Sequence, residues 1–460
     1  MAKKIPYPVY DLIPSQTTMW LMIKFSIHKE VLQIPSSVTL KADIDFDLMK
    51  KAINEEIRRN DCMRLRFFKS GDDIQQYFLP EYTLEDVPVM QFATEKEQEA
   101  FLNKDARKPV KFLRGENFRI ILFRSFNGRF GIYFNTSHMI MDAAAIAIFY
   151  KDLLEVYRAM AKGEELPEPL ASYEEYIQEE FKRLSNTAKM EKDKQWFIEY
   201  YKKGGCPFYA GVHGHDLLDA AREKEKDPEL RIPSAYDPIN DKAELVTRRI
   251  EGEDAQKILE FCQKNLVSPE TLMQAGYRIH VSKINYNTND TFSLQLCSKR
   301  VTLKEKHMGG CLTQPMQVRI IIEDDASFSD MLKELDSVRN SLYRHMTYPY
   351  VQAFAMERQM YGLKISQAPS FMMYTWLPML SGGEYDVEFK GYCIGRYVMP
   401  LYTFVYPDAR NMSIVCTYMH RINRIQTHHI DDLHNNMVKA IIAGIEHPEM
   451  TIGEIKKIID

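Results

Sequence analysis

The sequence predicts a mixed α/β protein with two lobes, and three observations lead to that prediction. Helical and strand-type hydrophobic periods alternate along the first part of the chain. A stretch rich in turn residues and poor in apolar ones, residues 162–169, interrupts the alternation. The same alternation then resumes from Asp254 to the last residues. The length of 460 residues allows two large units, because a domain commonly takes roughly 100–200 residues.

The first lobe is predicted at residues 1–170. Apolar residues recur with a helical period over residues 46–59, and Asp45 and Asp47 lie near the start of that helix. Residues 64–68 have the pattern of a strand. Two β-rich runs within 118–134 flank Asn127-Gly128, a dipeptide that favours the tight turn of a hairpin. The period then changes to that of a helix, with Asp142 at its start.

The second lobe is predicted at residues 171–460, beginning with an inter-lobe helix at 173–201. A charged, glycine-containing stretch at 204–241 is expected to be surface loop in part. Helices are predicted at 254–264, 269–284, 328–343 and 430–445, and strands at 291–296, 318–322, 402–406 and 413–418.

Composition and charge narrow the possible functions. Lys and Arg total 60 against 64 Asp and Glu, a net charge of −4, which excludes a nucleic-acid binder driven by bulk positive charge. Seven cysteines without a Cys-x-x-Cys pair favour reduced thiols over a disulfide framework. No apolar run approaches the ~20 residues of a membrane span. A soluble, cytoplasmic protein is therefore expected.

His-x-x-x-Asp is a weak signal for chemistry, because it occurs three times in this chain: at His138, His215 and His428. His215 lies in a charged segment with His213, where a solvated loop is favoured over a metal site because no third ligand is indicated. His428 precedes the last helix, whose positive N-terminal end accounts for the nearby acidic residues.

His138 differs because it follows an apolar strand and precedes the apolar helix that starts near Asp142. An imidazole held at such a junction can take a proton from an attacking amine or hydroxyl near neutral pH. A core histidine that caps a helix explains the same pattern. Residue spacing alone leaves both interpretations open.

The segment from Ser137 to Ala143 resembles HHxxxDG, the hallmark motif of the chloramphenicol-acetyltransferase-like acyltransferase superfamily. Within that superfamily, the chain most closely resembles the condensation domains of nonribosomal peptide synthetases. His138 and Asp142 match the second His and the Asp of that motif, while Ser137 and Ala143 stand at its first His and its Gly. Other family motifs are matched in the same order over nearly the whole chain. These are 12–20 (around Ser15, Gln16 and Trp20), 59–67 (RHxxLRxxF, with Asn60 for His), 173–176 with 195–196, 298–300, 309–319 (GxFVNTLxLR, with Thr313 for Asn) and 345–350 (HQDxPF).

The resemblance implies two chloramphenicol-acetyltransferase-like lobes in a V, with an active-site tunnel between them and His138 at its middle. His138 is expected to act as general base or to orient the attacking group, and Asp142 to support the site through an ion pair with Arg300. The implied donor is an acyl group on phosphopantetheine, from a carrier protein or coenzyme A. The implied acceptor is a small amine or alcohol, possibly carrier-bound. No permanent cofactor and no metal are expected.

Several alternatives remain open at this level. The chain resembles a free-standing enzyme or a domain of a longer synthetase equally well. A coenzyme-A-dependent alcohol O-acyltransferase, a lipopeptide-initiating condensation domain and a catalytically silent protein-recruitment domain are the competing functions. The apolar segment 371–379, with Met372, Tyr374 and Trp376, is expected either to line the substrate tunnel or to be a core strand.

Overall fold

The computed structural model describes residues 5–235, 237–368, 372–377, 384–408 and 411–460. The chain divides into two compact units. The first comprises Met1–Ser185, Ser298–Gln314 and Leu380–Gly395, and the second Asn186–Cys297, Pro315–Met379 and Arg396–Asp460. Each unit contains a sheet and helices, so the predicted mixed α/β class is confirmed.

Helices and strands alternate through most of the chain. The described helices are α1 (Pro14–Phe25), α2 (Phe46–Arg59), α3 (Glu95–Ala106), α4 (Ala143–Lys162), α5 (Tyr173–Leu184), α6 (Thr187–Lys202), α7 (Asp216–Glu225), α8 (Gly252–Asn265), α9 (Pro269–Ile284), α10 (Leu303–Lys306), α11 (Phe328–His345), α12 (Tyr350–Tyr361), α13 (Thr427–Glu446) and α14 (Ile452–Ile458). The described strands are β1 (Gln33–Leu40), β2 (Leu65–Ser70), β3 (Asp73–Phe78), β4 (Val89–Gln91), β5 (Phe118–Arg124), β6 (Phe130–Ser137), β7 (Ala243–Ile250), β8 (Asp290–Ser298), β9 (Thr313–Ile321), β10 (Met372–Trp376), β11 (Val387–Gly391), β12 (Leu401–Asp408) and β13 (Ser413–Arg421). Among these helices, none is long and apolar enough to cross a membrane.

The first unit contains a five-stranded sheet in the order β11-β1-β6-β5-β4 and a separate β2-β3 hairpin. β6 lies near the middle, antiparallel to both β1 and β5. The β5-β6 hairpin is the one predicted from the sequence, and Gly128 in its turn has φ +79°, a conformation that favours glycine. β6 ends at Ser137, so the residue that follows it leaves the sheet from a central strand.

Both faces of β6 are covered, which holds its C-terminal end firmly. Every residue of the strand is buried. Side chains alternate between the two faces of a strand: the Phe134 ring stacks on Phe149 of α4 with centroids 4.2 Å apart, while Tyr133 belongs to the apolar cluster formed with α3. A strand covered on both faces keeps a near-continuous apolar sequence, and this one is Phe-Gly-Ile-Tyr-Phe.

The second unit is built around a six-stranded sheet in the order β7-β13-β12-β10-β8-β9. β10 runs parallel to both of its neighbours, β12 and β8. Helix α9 is the innermost helix: every residue from Thr271 to Ser282 is buried, and α8, α11, α13 and α14 all contact it. The segment Ser298–Gln314 joins β8 to β9 and belongs to the first unit.

The structure differs from the sequence-based expectation in a few elements. The predicted helix 173–201 forms two helices, α5 and α6, because Asn186 starts a second one by accepting a hydrogen bond from the Lys189 amide at 3.1 Å. The stretch 204–241 includes the helix α7. The strand expected at 318–322 begins five residues earlier, at Thr313. A final helix, α14, follows the predicted closing helix.

Candidate active site

His138 is the first residue after β6, and backbone hydrogen bonds hold both sides of this junction. The Ser137 amide donates to the Asn117 carbonyl, and the His138 amide donates to the Leu32 carbonyl, each at 2.8 Å. The His138 side chain is half-buried. Its Nδ1 lies 3.8 Å from the Sγ of Cys311. The imidazole is therefore fixed to a rigid strand end while part of its surface stays accessible.

The surroundings of His138 keep its imidazole neutral. Burial lowers the pKa of His138 below its ordinary value, against the opposing effects of the Asp142 charge and of a hydrogen bond with its own backbone. A charged imidazole is penalised when water is removed from it. At neutral pH the neutral ring, which can accept a proton, is the dominant form.

Asp142 is buried and fully engaged by the protein. Its Oδ1 accepts from the Ala145 amide at 2.9 Å and so caps α4. Its Oδ2 accepts from Arg300 Nη1 at 2.6 Å and from the Leu312 amide at 2.8 Å. Burial alone would raise the pKa of Asp142, but the Arg300 charge and these hydrogen bonds outweigh it, and the pKa is lowered. The carboxylate is thus a structural anion that connects the start of α4 to the 298–314 segment.

Arg300 is the cationic partner, as the sequence resemblance implied. Its side chain is 5% exposed and that of Asp142 is 1% exposed. The guanidinium Nη2 also donates to the Gly310 carbonyl at 3.0 Å, and Nη1 donates to Ser298 Oγ at 3.2 Å. Arg300 therefore links the end of β8 to the residue that precedes Cys311.

Two glycines allow this turn to pass close to other parts of the first unit. A Cβ on Gly309 would lie 2.1 Å from Asn60 Oδ1. Gly310 has φ +94°, and a Cβ there would lie 2.3 Å from the Tyr173 ring. Glycine is the residue that tolerates both the backbone conformation and the close approach.

Further hydrogen bonds hold two backbone carbonyls near His138, those of Cys311 and Met139. Ser15 Oγ and Tyr173 Oη both donate to the Cys311 carbonyl, at 2.7 and 3.1 Å. Gln16 Nε2 donates to the Met139 carbonyl at 3.2 Å. Ser15, Gln16 and Tyr173 stand in the motifs quoted from the sequence, but their contacts were not predicted.

Cys311 is the residue of this site that sequence analysis missed. It counted there only as one of seven unpaired thiols, and no spacing rule connects it with a histidine 173 residues away. Burial raises the pKa of the Cys311 thiol well above its ordinary value, so the thiol stays protonated. The match of residues 309–319 to a family motif was the available signal, although that motif carries Phe at this position.

The two motif neighbours have local roles. Ser137 Oγ accepts from the Met139 amide at 3.3 Å, which stabilises the turn that begins at His138. Ala143 is the first residue of α4 and is half-buried.

The other histidines noted in the sequence have different surroundings. His215 Nδ1 contacts Asp219 Oδ2 at 2.7 Å, and its ring stacks on Tyr286. His213 is half-buried, and the removal of water from its ring lowers its pKa to about 4. His428 lies in the first turn of α13. Within the described parts of the chain, His, Cys, Asp and Glu form no group of three or more that could hold a metal ion.

The residues expected to line a substrate tunnel lie on β10 in the second unit. Met372 and Tyr374 are buried in its main apolar cluster, and Trp376 packs against that cluster while half-buried. Phe371 and Met379, at the ends of the same apolar segment, lie outside the described residues. That Met372, Tyr374 and Trp376 contact a substrate stays a prediction.

Comparisons with known proteins show which proteins this chain resembles. Residues 8–208 match the family model described as Condensation domain. Two synthases of Bacillus subtilis (strain 168) align with nearly the whole chain: plipastatin synthase, in one of its subunits, is 21% identical over 97% of it, and surfactin synthase subunit 1 is 26% identical over 98%. The chain spans only 17% and 12% of the length of these two relatives.

Solved structures show the same fold. The starter condensation domain of rhizomide synthetase, in complex with C8-CoA, superposes with a TM-score of 0.80 at 16% identity, covering 97% of this chain and 96% of the other. The first condensation domain of the calcium-dependent antibiotic synthetase gives a TM-score of 0.78 at 14% identity, with 97% and 98% covered. The chain is thus similar to condensation domains in the sequence of residues 8–208 and shares their fold over nearly its whole length.

Proposed function

We propose that this chain is an acyltransferase that moves an acyl group from a phosphopantetheine thioester to an amine or hydroxyl acceptor, with His138 as its catalytic residue. The observation that carries the proposal is a half-buried histidine, kept neutral by its surroundings, at the rigid end of a central strand. Condensation domains form a family of acyl-transfer enzymes, and this chain is related to them.

In the proposed reaction the acceptor nitrogen or oxygen attacks the thioester carbonyl carbon. The new C–N or C–O bond forms, the C–S bond breaks, and the pantetheine sulfur leaves as a thiol. The proton lost by the acceptor passes through the His138 imidazole to that sulfur. A neutral imidazole suits this relay, because its unprotonated nitrogen can take up the proton of the acceptor and pass it on.

Asp142 does not take part in proton transfer in this proposal. Its two oxygens are occupied by three donors of the protein, and its lowered pKa keeps it ionised. Its proposed role is to fix the His138 turn and the Arg300 segment. His138 is then the group available to exchange a proton with the substrates.

The choice of donor is part of the proposal. The related synthetases suggest a carrier-bound donor, and the starter condensation domain of rhizomide synthetase was solved with C8-CoA. Both donors present the same pantetheine arm and thioester. Medium-chain acyl-coenzyme A and acyl-carrier protein are therefore the first two donors to compare.

The test is release of free thiol from panels of acyl-coenzyme A and acyl-carrier proteins, with mixed amine and alcohol acceptors. We expect acceptor-dependent release in the wild type and a loss of about 100-fold or more in His138→Ala, the range of general acid–base catalysis. Mass spectrometry with and without hydroxylamine distinguishes ester products from amide products, since hydroxylamine cleaves esters and leaves amides intact.

His428→Ala is the matched control, because it removes another histidine of a His-x-x-x-Asp pattern at the start of a helix. It should keep wild-type turnover. Release that is equal in wild type and His138→Ala would contradict the catalytic role. No turnover with either donor class would favour the protein-recruitment alternative.

A further inference from the structure

Two buried glutamines of the first unit, Gln16 on α1 and Gln76 on β3, form a closed pair of side-chain amides. The Nε2 of each residue donates to the Oε1 of the other at 2.7 Å. Gln16 Oε1 also accepts from the Ile13 amide at 3.3 Å. A side-chain amide carries two N–H donors, so each glutamine keeps one donor for a group outside the pair.

The second donor of each glutamine goes to a backbone carbonyl. Gln76 Nε2 donates to the Asp11 carbonyl at 2.8 Å, and the Gln76 backbone pairs with that of Tyr10 through two hydrogen bonds of 2.9 Å. Gln16 Nε2 donates to the Met139 carbonyl at 3.2 Å. If the Gln16 amide were turned over, its oxygen would face two acceptor oxygens. The anchored Gln76 therefore fixes which end of the Gln16 amide faces Met139.

Met139 follows His138 in the turn after β6, and its carbonyl is held from outside that turn. The amides of residues 139–141 donate to the carbonyl or the hydroxyl of Ser137, at 3.1 to 3.3 Å. These bonds hold the turn from within, whereas the Met139 carbonyl accepts from Gln16 on α1. The orientation of the residue next to His138 therefore depends on a side chain that lies far from it in the sequence.

We propose that Gln76 is a positioning residue for His138. It orients the Gln16 amide, Gln16 binds the Met139 carbonyl, and the backbone of the turn then sets the direction of the His138 imidazole. Neither glutamine touches the reacting groups. The effect on catalysis rests on the proposed function, while the effect on the turn does not depend on turnover. A displacement of about 1 Å near the reacting groups can lower a rate about 100-fold.

The test compares Gln76→Met with the double variant Gln16→Met, Gln76→Met in kcat, KM and urea midpoint. Gln76→Met leaves the Gln16 amide buried without its partner, so both the midpoint and kcat should fall. The double variant has two apolar partners of similar shape, which should restore most of the midpoint. Its Met139 carbonyl still lacks the donor, so kcat should stay about tenfold or more below wild type, with KM within about twofold. A purely structural pair would instead recover stability and kcat together.

The matched control is Gln98→Met, which removes another buried glutamine of the first unit. Gln98 Oε1 accepts from Ser125 Oγ at 2.6 Å. This variant should lower the urea midpoint and keep the wild-type kcat. If the methionine variants fail to fold, leucine replaces methionine at the same positions, because leucine loses less side-chain entropy on burial.

Hydrogen exchange of peptides that contain residues 138–141, measured by mass spectrometry, follows the turn without any substrate. The double variant should exchange about twofold to tenfold faster there, as expected for loss of one hydrogen bond, and at the wild-type rate in the second unit. Wild-type kcat in the double variant, or unchanged exchange at the turn, would overturn the inference. If the wild type shows no turnover, the proposed function fails and the exchange result alone decides the role of Gln76.

Discussion

Two neighbouring side chains of one motif, His138 and Asp142, have different tasks because their surroundings differ. The imidazole is half-buried and touches a thiol, whereas the carboxylate is buried and accepts three hydrogen bonds. A buried anion needs a cation and donors, and Arg300 with two backbone amides supplies them. His138 is thus four residues before Asp142, the anion that fixes the loop on which His138 lies.

We expect Asp142→Ala to lower the free energy of unfolding by about 3–5 kcal/mol, because the buried Arg300 charge loses its partner. Urea denaturation measures this loss. Thr94→Ala, which removes only a helix cap at α3, should cost about 1 kcal/mol. Combining Asp142→Asn with Arg300→Met should recover part of the loss. A loss in Asp142→Ala no larger than that in Thr94→Ala would show that the ion pair contributes little.

The residues of the site differ in how far the sequence predicts them. His138 and its helix-capping Asp142 stand out from local patterning, because a strand period changes to a helical period between them. The pairing with Arg300, 158 residues away, came from the motif resemblance and not from spacing. Cys311 could not be predicted, because its contact with His138 depends on a turn whose path is set by hydrogen bonds from α1 and α5.

At the scale of elements, the turn at residues 308–312 shapes the site because Gly310 takes a backbone conformation that other residues resist. We expect Gly310→Ala to destabilise the protein by about 2–5 kcal/mol, from backbone strain and overlap with the Tyr173 ring. Gly128→Ala is the control, since Gly128 also has a positive φ but has no neighbouring atom within 4 Å. Gly128→Ala should lower the free energy of unfolding by about 1–2 kcal/mol. Equal thermal midpoints for the two variants would contradict the close packing at Gly310.

Elements with a clear period were predicted well, and elements that depend on tertiary contacts were not. The helix at 46–59 and the helix at 269–284 have the predicted bounds. β9 was predicted too short, because its first residues, Thr-Gln-Pro-Met-Gln, lack an apolar alternation even though all are buried. The break between α5 and α6 depends on one capping side chain in a segment whose helical period continues.

At the scale of the whole molecule, buried titratable groups away from the site should make stability depend on pH. His280 and His434 are buried and His213 is half-buried, and the removal of water from each ring lowers its pKa to about 4. The unfolded chain takes up these protons below about pH 6.5. Stability from these residues is therefore present above that pH and is lost as the pH falls towards 4.

Glu357 acts in the opposite direction within the second unit. It is fully buried and accepts a hydrogen bond from Gln317 Nε2 at 2.6 Å, while Tyr201 Oη donates to Gln317 Oε1 at 2.7 Å. Burial raises the pKa of Glu357 to about 7, against opposing effects of Gln317 and Arg319. The folded protein therefore keeps this proton at pH values where the unfolded chain has released it.

This raised pKa predicts that Glu357 contributes stability that is fully present below about pH 4.5 and is lost as the pH rises to about 7. The change amounts to about 3 kcal/mol, since each pKa unit is worth about 1.4 kcal/mol. Urea denaturation at pH 5, 6, 7 and 8 should show Glu357→Gln gaining stability over the wild type as the pH rises, because the neutral amide does not titrate. The exposed Glu229→Gln serves as control and should follow the wild-type curve. Parallel curves for Glu357→Gln and wild type would mean that Glu357 is ionised in the folded protein throughout this range, with its charge compensated by Arg319.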